Sequence, residues 1–356
     1  MNILIITPGG IAQGGGIGTV ARNMYVKLQS HTIVERVAVI DSRGEKGFWL
    51  SFAFMLFALC KTFFYLAIWD GKTVVHINVS ERFSFHRKRL FIQLAKVFGQ
   101  SVVLHHHGAE FIQCYEKGSP TYRKAVQACI NSADSNIVLG NKWLKYFNNN
   151  VEFRKPVSIL YNAVPRLKIK KDEIAADTIN LSLLANLSNR KGVHIFLEAL
   201  SNLKSKYEFH ATLVGGGEVQ KFKSEASTLG ISDRCTFTGW LSHDEAMTYL
   251  VNSDITVLPS FDEGLPMTLL EALSAGVPMI CTKVGSIGEV FSNNKNCLFV
   301  DVGNVESLKN AIARLISEPN FREELSKNGR TLYDEMFTLD AYINRLIEHY
   351  QKVIGK

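Results

Sequence analysis

A strand, a turn and a helix start follow one another in the second half of this 356-residue chain. The apolar run from Ile255 to Leu258 predicts a buried strand, and a turn containing Gly264 and Pro266 follows it. Proline suits the first helical turn, where its missing N–H has no cost. The free N–H groups of Met267 and Thr268 would then face an anion, with the helix dipole behind them. This stretch therefore predicts a phosphate-binding helix start.

Two carboxylates flank that helix start. Glu263 precedes it and Glu271 follows on the helix, with seven residues between them. The run continues as Ala-Leu-Ser-Ala-Gly-Val-Pro at 272–278 and as Thr-Lys-Val-Gly-Ser-Ile-Gly-Glu at 282–289. Together these residues resemble the Glu-x7-Glu signature and the following glycine turn of family 4 retaining glycosyltransferases. The resemblance implies the GT-B fold and transfer of a sugar from a nucleotide.

The resemblance also implies roles for single residues. Glu271 would accept hydrogen bonds from the ribose hydroxyls, as an ionised carboxylate can. Glu263 would hold hydroxyls of the donor sugar, although acids are also favoured near helix starts for purely structural reasons. Residues 239–241 would supply backbone contacts to the base. The residues expected to bind the donor are Gly15, Gly16, Arg190, Lys191, Gly215, Leu241, Met267, Thr268 and Glu271.

The leaving diphosphate needs positive charge, and the sequence has no Asp-x-Asp motif to hold a metal. Fixed cations and helix-end amides would then stabilise the departing charge. Lys191 matches the family's lysine in Arg-x4-Lys-Gly, but Asn186 stands where the family has arginine. Arg190 is the candidate for the second charge. We therefore expect a reaction with no metal and no other cofactor, in which the nucleotide sugar is a co-substrate.

Length and composition predict two domains, because 356 residues exceed the size of one ordinary domain. The first would comprise residues 1–165 with a closing helix at about 337–356, and the second residues 166–336, beginning with a charged linker at 166–177. Six scattered cysteines predict reduced thiols in a cytoplasmic protein. The first eight residues lack the basic start and the length of a secretory signal.

Positive charge is concentrated in the first half of the chain. Residues 1–165 carry 19 Lys and Arg against 9 Asp and Glu, whereas residues 166–356 carry 21 against 24. This asymmetry predicts an anionic partner for the first domain, such as a lipid surface or a diphosphate. Nucleic acid is disfavoured because no reading helix or stacking motif accompanies the charge.

A glycine-rich loop, residues 14–18, ends the first strand and opens a helix. Its amides could approach a phosphate, although a flexible turn would have the same composition. The spacing differs from Gly-x-Gly-x-x-Gly, which argues against a dehydrogenase. In the resembled family this loop faces the donor diphosphate and the acceptor.

The segment from Phe48 to Trp69 has 22 residues, of which only Ser51, Lys61 and Thr62 are not apolar. Its length suits a membrane span, but a central lysine costs roughly 2.5–3.5 kcal/mol on insertion. The following strand, 73–77, should also pair in the same sheet as residues 2–7. We therefore expect a crossover helix that covers the sheet. The sequence leaves open whether protein or lipid covers its outer face, and we favour lipid.

A basic cluster, Ser-Phe-His-Arg-Lys-Arg at 84–89, heads the next helix. It is a candidate for lipid headgroups or an acceptor diphosphate, with an ordinary cationic helix start as the equal alternative. The residues expected on the acceptor or membrane side are Arg87, Lys88 and Glu110.

Three consecutive histidines, 105–107, end a further strand. Neighbours on a strand alternate faces, so a three-ligand metal site is not expected. The His-x-His-Gly-x-x-Phe pattern resembles acceptor domains of glycan-assembling members of the same family. There the histidine before the glycine reaches the donor sugar or the acceptor, which implies a catalytic role for His107. A structural histidine is the alternative.

Strand and helix patterns alternate through both halves, which predicts an α/β chain with two doubly wound, Rossmann-like domains facing a cleft. With the resemblance, this implies a retaining, metal-independent, hexosyl-type glycosyltransferase that uses a UDP- or GDP-sugar. The expected acceptor is a polyprenyl-diphosphate-linked glycan at the inner face of a bacterial membrane, in surface polysaccharide synthesis of the O-antigen type. A non-catalytic nucleotide- or glycan-binding partner with the same fold is the alternative.

Overall fold

The computed structural model describes residues 1–11, 16–44, 48–80, 84–108, 110–150, 152–169 and 178–355. The chain divides into two compact units, Met1–Ala163 with Leu339–Lys356, and Val164–Thr338. Each boundary lies two residues from the position expected from the sequence. Residues 170–177 of the expected linker lie outside the described part of the chain.

Each unit contains a six-stranded sheet in which every described pair of neighbours is parallel. The central strands are short apolar runs buried on both faces, as is typical of parallel sheets, whereas the edge strands β2, β6 and β9 are mostly half-buried. They are β1 (Asn2–Thr7), β2 (Arg36–Asp41), β3 (Thr73–Val79), β4 (Ser101–His106), β5 (Ser135–Val138), β6 (Val157–Ile159), β7 (Ile179–Leu184), β8 (Phe209–Val214), β9 (Cys235–Gly239), β10 (Ile255–Leu258), β11 (Met279–Thr282) and β12 (Leu298–Val300).

Helices connect the strands and cover the sheets. They are α1 (Gly16–Gln29), α2 (Phe48–Ile68), α3 (Ser84–Val97), α4 (Phe111–Glu116), α5 (Pro120–Ser132), α6 (Asn141–Asn149), α7 (Val193–Ser201), α8 (Val219–Thr228), α9 (His243–Val251), α10 (Met267–Ala275), α11 (Ile287–Val290), α12 (Val305–Ser317), α13 (Pro319–Leu332) and α14 (Leu339–Ile354).

The first sheet has the order β2-β1-β3-β4-β5-β6. Strand β3 pairs with β1, with Asn2 opposite Thr73, so the prediction that the chain returns to the same sheet after the long apolar helix is confirmed. The C-terminal helix α14 belongs to this unit. Its Tyr350 is buried, and the phenolic oxygen lies 2.8 Å from His76 Nδ1 on β3.

Helix α2 connects β2 to β3 and packs on the unit by one stripe. That stripe points into the core and consists of Met55, Ala58, Thr62, Leu66 and Trp69. The spacing of three and four residues is that of one helix face. The predicted crossover helix is thus confirmed, ending one residue before Trp69.

The second sheet has the order β12-β11-β10-β7-β8-β9. The chain therefore builds outward from β7 to one side and then returns to β10 on the other side. Ligands of open parallel sheets bind at such a switch point, beyond the carboxyl ends of the strands. In this unit the switch point lies between β7 and β10. In the first unit it lies between β1 and β3.

Candidate functional site

The loops that follow β7 and β10 meet at the switch point of the second unit. Two glycines allow the close approach of backbone. Gly192 has φ +72°, and a Cβ there would lie 2.1 Å from the Pro259 carbonyl oxygen. Gly285 has φ +57°, and a Cβ there would lie 1.9 Å from the Glu263 carbonyl oxygen. Side chains at these two positions would force the loops apart, so glycine is needed to hold the site together.

Lys191 and Glu263 form an ion pair at the meeting point of these loops. Their side chains are 14% and 7% exposed, so both charges are largely removed from water. The Ser260 hydroxyl donates a 2.8 Å hydrogen bond to the same Glu263 oxygen. The sequence assigned the lysine to the diphosphate and the glutamate to the sugar. The structure places the two in direct contact, in a polar site that a bound anion and sugar hydroxyls could enter.

The start of α10 lies beside this pair. Pro266 is its N-cap residue, with ψ 132°, and no side chain among the described residues caps the helix. Met267 and Thr268 form the first turn and are partly exposed. The Thr268 hydroxyl donates to the Leu184 carbonyl oxygen at the end of β7, at 3.3 Å. The uncapped helix start thus lies next to the switch point, where its amides and dipole favour an anion.

Glu271 has a partner that the sequence reasoning missed. His243 Nε2 lies 2.9 Å from Glu271 Oε1, and the Glu271 side chain is 7% exposed. The hydrogen bond to Glu271 raises the pKa of His243. His243 begins α9, whose N-cap Ser242 forms a capping box with Glu245. The capping signal in the sequence predicts where this helix begins, but not that its first side chain meets a glutamate 28 residues away.

Three further donor-site candidates lie on loops of the same unit. Arg190 donates from Nη1 to the Asp262 carbonyl oxygen at 2.9 Å, so its guanidinium stabilises the loop after β10. Gly215 directly follows β8 with φ +133°, where a Cβ would lie 2.0 Å from the Ala185 carbonyl oxygen. Leu241 is half-buried just before α9. A nucleotide-contact role for these three residues stays a prediction.

In the first unit, His107 follows β4 and joins a network of buried imidazoles. Its Nε2 lies 2.9 Å from Asn78 Oδ1, and His76 Nε2 lies 3.2 Å from the same oxygen. The His105 and His107 rings lie 4.1 Å apart, whereas His106 points to the other side of the strand and contacts Asn136. The predicted alternation of faces is thus confirmed.

These histidines are neutral. Burial lowers the pKa of His76 to about 3, that of His106 to about 4 and that of His107 to about 3, and it also lowers the pKa of His105. A neutral, partly exposed His107 can exchange hydrogen bonds with a hydroxyl group. Among the described residues, no group of three or more His, Cys, Asp or Glu side chains has a geometry that could hold a metal ion.

The expectation that Lys88 faces lipid headgroups is wrong. Lys88 is completely buried, and its ammonium donates to the Ser42 hydroxyl after β2. Burial, followed by the charge of Arg87, lowers its pKa well below the usual value. The helical period explains the error, because Lys88 lies on the same face of α3 as the buried Phe91 and Ile92. Arg87 is half-buried, so the basic cluster is not a free cationic surface as a whole.

Two donor-site candidates and one acceptor-side candidate belong to the first unit. Of the donor-site glycines, Gly16 begins α1, and Gly15 lies outside the described residues. Glu110 is the N-cap residue of α4 without a side-chain cap bond. A cavity of about 420 Å³ opens between α2, the edge strand β2 and the loop after β1, and both Asp41 and Lys61 line it. Apolar and charged groups therefore meet in this cavity.

Comparison with known proteins agrees with this geometry. Residues 165–332 match the family model described as glycosyl transferases group 1. The lipopolysaccharide core biosynthesis glycosyltransferase LpsE of Rhizobium meliloti is 27% identical over 187 residues, which are 52% of this chain and 53% of LpsE. The chain thus spans about half the length of the curated relatives it matches.

Solved structures resemble the whole chain. Sucrose-phosphate synthase from Thermosynechococcus elongatus has a TM-score of 0.82 and 18% identity, with 99% of each chain covered. HepE of Anabaena in complex with UDP has a TM-score of 0.76 and 16% identity, with 99% of this chain and 100% of HepE covered. The predicted fold class is confirmed: the chain has the GT-B fold, and its second unit is similar to glycosyl transferases group 1.

Proposed function

We propose that this protein is a retaining glycosyltransferase that moves a hexosyl residue from a UDP- or GDP-sugar to a glycan acceptor. The observation that carries the proposal is the meeting of Lys191, Glu263 and the uncapped start of α10 at the switch point of the second sheet. A cation, a sugar-binding carboxylate and oriented amides are the groups that a nucleoside diphosphate sugar requires.

The proposed chemistry uses fixed charge in place of a metal. The bond between the anomeric carbon and the diphosphate oxygen breaks, and the acceptor oxygen bonds to the same face of that carbon. The acceptor proton passes to the leaving phosphate oxygen, so no protein base is required. Lys191 and the α10 amides stabilise the charge that develops on the diphosphate, and Glu263 exchanges its lysine partner for sugar hydroxyls. A covalent glycosyl intermediate is the alternative route to retention.

We further propose that the acceptor is carried on a polyprenyl diphosphate at the cytoplasmic face of a bacterial membrane, for surface polysaccharide of the O-antigen type. Two observations support this acceptor: the excess of Lys and Arg in residues 1–165 and the cavity beside α2, which is lined by apolar residues together with Lys61 and Asp41. The similarity to LpsE, a lipopolysaccharide core biosynthesis glycosyltransferase, points in the same direction.

A thermal-shift panel with UDP, GDP, ADP and their common sugar conjugates tests the proposal, because a ligand of the native state raises the melting temperature. We expect a shift with UDP or GDP that persists in EDTA. Sugar transfer should be lost in Glu263→Gln, while Glu218→Gln on the exposed surface should retain it. Binding without any transfer would favour the non-catalytic alternative, and turnover that needs magnesium or manganese would refute the metal-free chemistry.

A further inference from the structure

The outer face of α2 is apolar, and the described residues leave it uncovered. A core helix of this hydropathy would be mostly buried, but only 17% of the window Ser51–Ile68 is buried. Large side chains along this face are 37–59% exposed, namely Phe52, Phe54, Leu56, Phe57, Phe63, Phe64 and Ile68. A contiguous apolar surface of this kind marks an interaction site in a folded protein.

The helix lies along the protein surface. Its inward stripe contacts the core from Met55 to Leu66, and Trp69 continues it just after the helix end, so the C-terminal two thirds of α2 lie against the core. It also packs against α3 and against β2, the edge strand of the sheet. A spanning orientation would carry that edge into hydrocarbon, where unpaired backbone groups are not satisfied. The packing therefore favours a helix that lies parallel to a surface and has one face free.

The surroundings of α2 are basic. Residues 48–97 carry 7 Lys and Arg against 2 Asp and Glu, although Lys88 is buried and Lys96 pairs with Asp134. Lys61 is exposed at the margin of the apolar face, with its ammonium 5.6 Å from the centre of the Phe57 ring. On the adjacent α3, Arg89 is exposed, and Val97 is 83% exposed. An apolar face bordered by cations complements the acyl layer and headgroups of an anionic bilayer, whereas a second copy would oppose like charges.

We propose that α2 is an in-plane membrane-docking helix. Its phenylalanine-rich face enters the interfacial layer of an anionic bilayer, and Lys61 with the exposed cations of α3 meets the headgroup phosphates. The inward stripe keeps the helix on the first unit while it is immersed. This docking requires no sugar transfer, so it can be tested independently of the proposed function.

Vesicle co-sedimentation of the full chain tests the docking. We expect binding to phosphatidylcholine vesicles that contain phosphatidylglycerol, and weaker binding in high salt or without the anionic lipid. Phe57→Ser/Phe64→Ser should weaken partitioning by about tenfold or more, because two large exposed apolar groups are removed. Ile33→Ser/Val302→Ser, which changes two exposed apolar residues outside α2, should leave partitioning unchanged.

Binding of UDP or GDP, whichever stabilises the wild type, is measured on each variant and reports on the second unit and on folding. A protein that binds this nucleotide but not anionic vesicles overturns the docking and leaves the proposed function standing. A protein that binds vesicles but no nucleotide overturns the proposed function and leaves the docking standing. Equal loss of vesicle binding in both double variants also overturns the assignment of the surface to α2.

Cys60 allows the depth to be measured, because it is exposed on the outer face of α2 while Cys114 and Cys235 are partly covered and the other cysteines are buried. An environment-sensitive probe on Cys60, in a Cys114→Ser/Cys235→Ser background, should shift to the blue with anionic vesicles. Lipids brominated near the headgroups should quench the fluorescence of this probe more than lipids brominated deep in the acyl chains. Stronger deep quenching would show insertion across the bilayer, and a Cys60–Cys60 crosslink in a lipid-free dimer would show that a second copy covers the face. Either result overturns the proposal.

Discussion

Removal of the Lys191 charge should destabilise the second unit far more than removal of an exposed lysine. In Lys191→Met, the Glu263 carboxylate keeps the Ser260 hydroxyl bond but loses its cation in a site where its side chain is 7% exposed. Loss of one partner of a buried ion pair costs about 3–5 kcal/mol, because the remaining charge is left uncompensated. The residual exposure and the serine bond reduce this cost, so we expect about 2–3 kcal/mol.

The double variant Lys191→Met/Glu263→Gln separates this effect from a loss of packing. With both charges removed, no uncompensated charge remains, and most of the lost stability should return. For a unit of this size, each kcal/mol shifts the melting temperature by about 2–4 °C, so the single variant should melt roughly 4–12 °C lower.

Calorimetry and urea unfolding of the wild type, both single variants and the double variant form a complete cycle. Lys221→Met is the matched control, because Lys221 also pairs with a glutamate, Glu218, but their side chains are 43% and 48% exposed. Its effect should stay below about 1 kcal/mol. The reasoning is refuted if Lys191→Met is as mild as Lys221→Met, or if the two single changes simply add in the double variant.

Three further predictions concern titration and backbone. His243→Gln should lower the melting temperature more at pH 6 than at pH 8.5. The pKa of His243 is raised in the folded state, so its charge stabilises the fold below the unfolded pKa of about 6.5, and this contribution is lost as the pH rises through the folded pKa. An equal loss at both pH values contradicts the charged pair. Acid should destabilise the first unit, since His76 and His106 stay neutral in the folded state down to pKa values of about 3 and 4 while the unfolded chain binds protons below about 6.5. Each of these two histidines should remove roughly 2 kcal/mol of unfolding free energy between pH 7 and pH 5. In urea titrations, the unfolding free energy of His106→Gln should therefore fall less steeply with decreasing pH than that of the wild type, and an unchanged pH dependence refutes the neutral burial of His106. Gly192→Ala should lower the unfolding free energy by about 1 kcal/mol or more beyond the loss in Gly239→Ala. Both glycines have φ near +70°, but an added Cβ would lie 2.1 Å from a carbonyl oxygen at Gly192 and would meet no atom within 4 Å at Gly239. Equal melting temperatures for the two variants argue against the contact.

The periodicity of apolar residues and the positions of proline and glycine made much of the fold predictable from the sequence. Apolar runs such as 2–7 and 255–258 form buried strands. Pro266 directly precedes helix α10 and Gly276 directly follows it, in agreement with their backbone preferences. The parallel sheets followed from the alternation of strand and helix patterns. These features depend on neighbours within one or two helical turns, so the local sequence contains the information.

The partners of individual side chains were harder to predict from the sequence. The glutamate pair of the signature was visible, but the contacts of Lys191 with Glu263 and of His243 with Glu271 join residues 72 and 28 positions apart. Lys88 was misplaced for a related reason. A charged residue inside a basic cluster suggests a solvated surface, and only the packing of α3 on the sheet turned its side chain inward.

The amino-acid order thus specified the elements, their sequence of strands and helices, and the types of groups available at each loop. The three-dimensional arrangement decided which charges pair, which imidazoles lose water and remain neutral, and which face of α2 the described part of the chain leaves exposed. The physical reason is the range of the forces involved. Backbone preference acts between neighbours in the chain, whereas burial and ion pairing depend on neighbours in space.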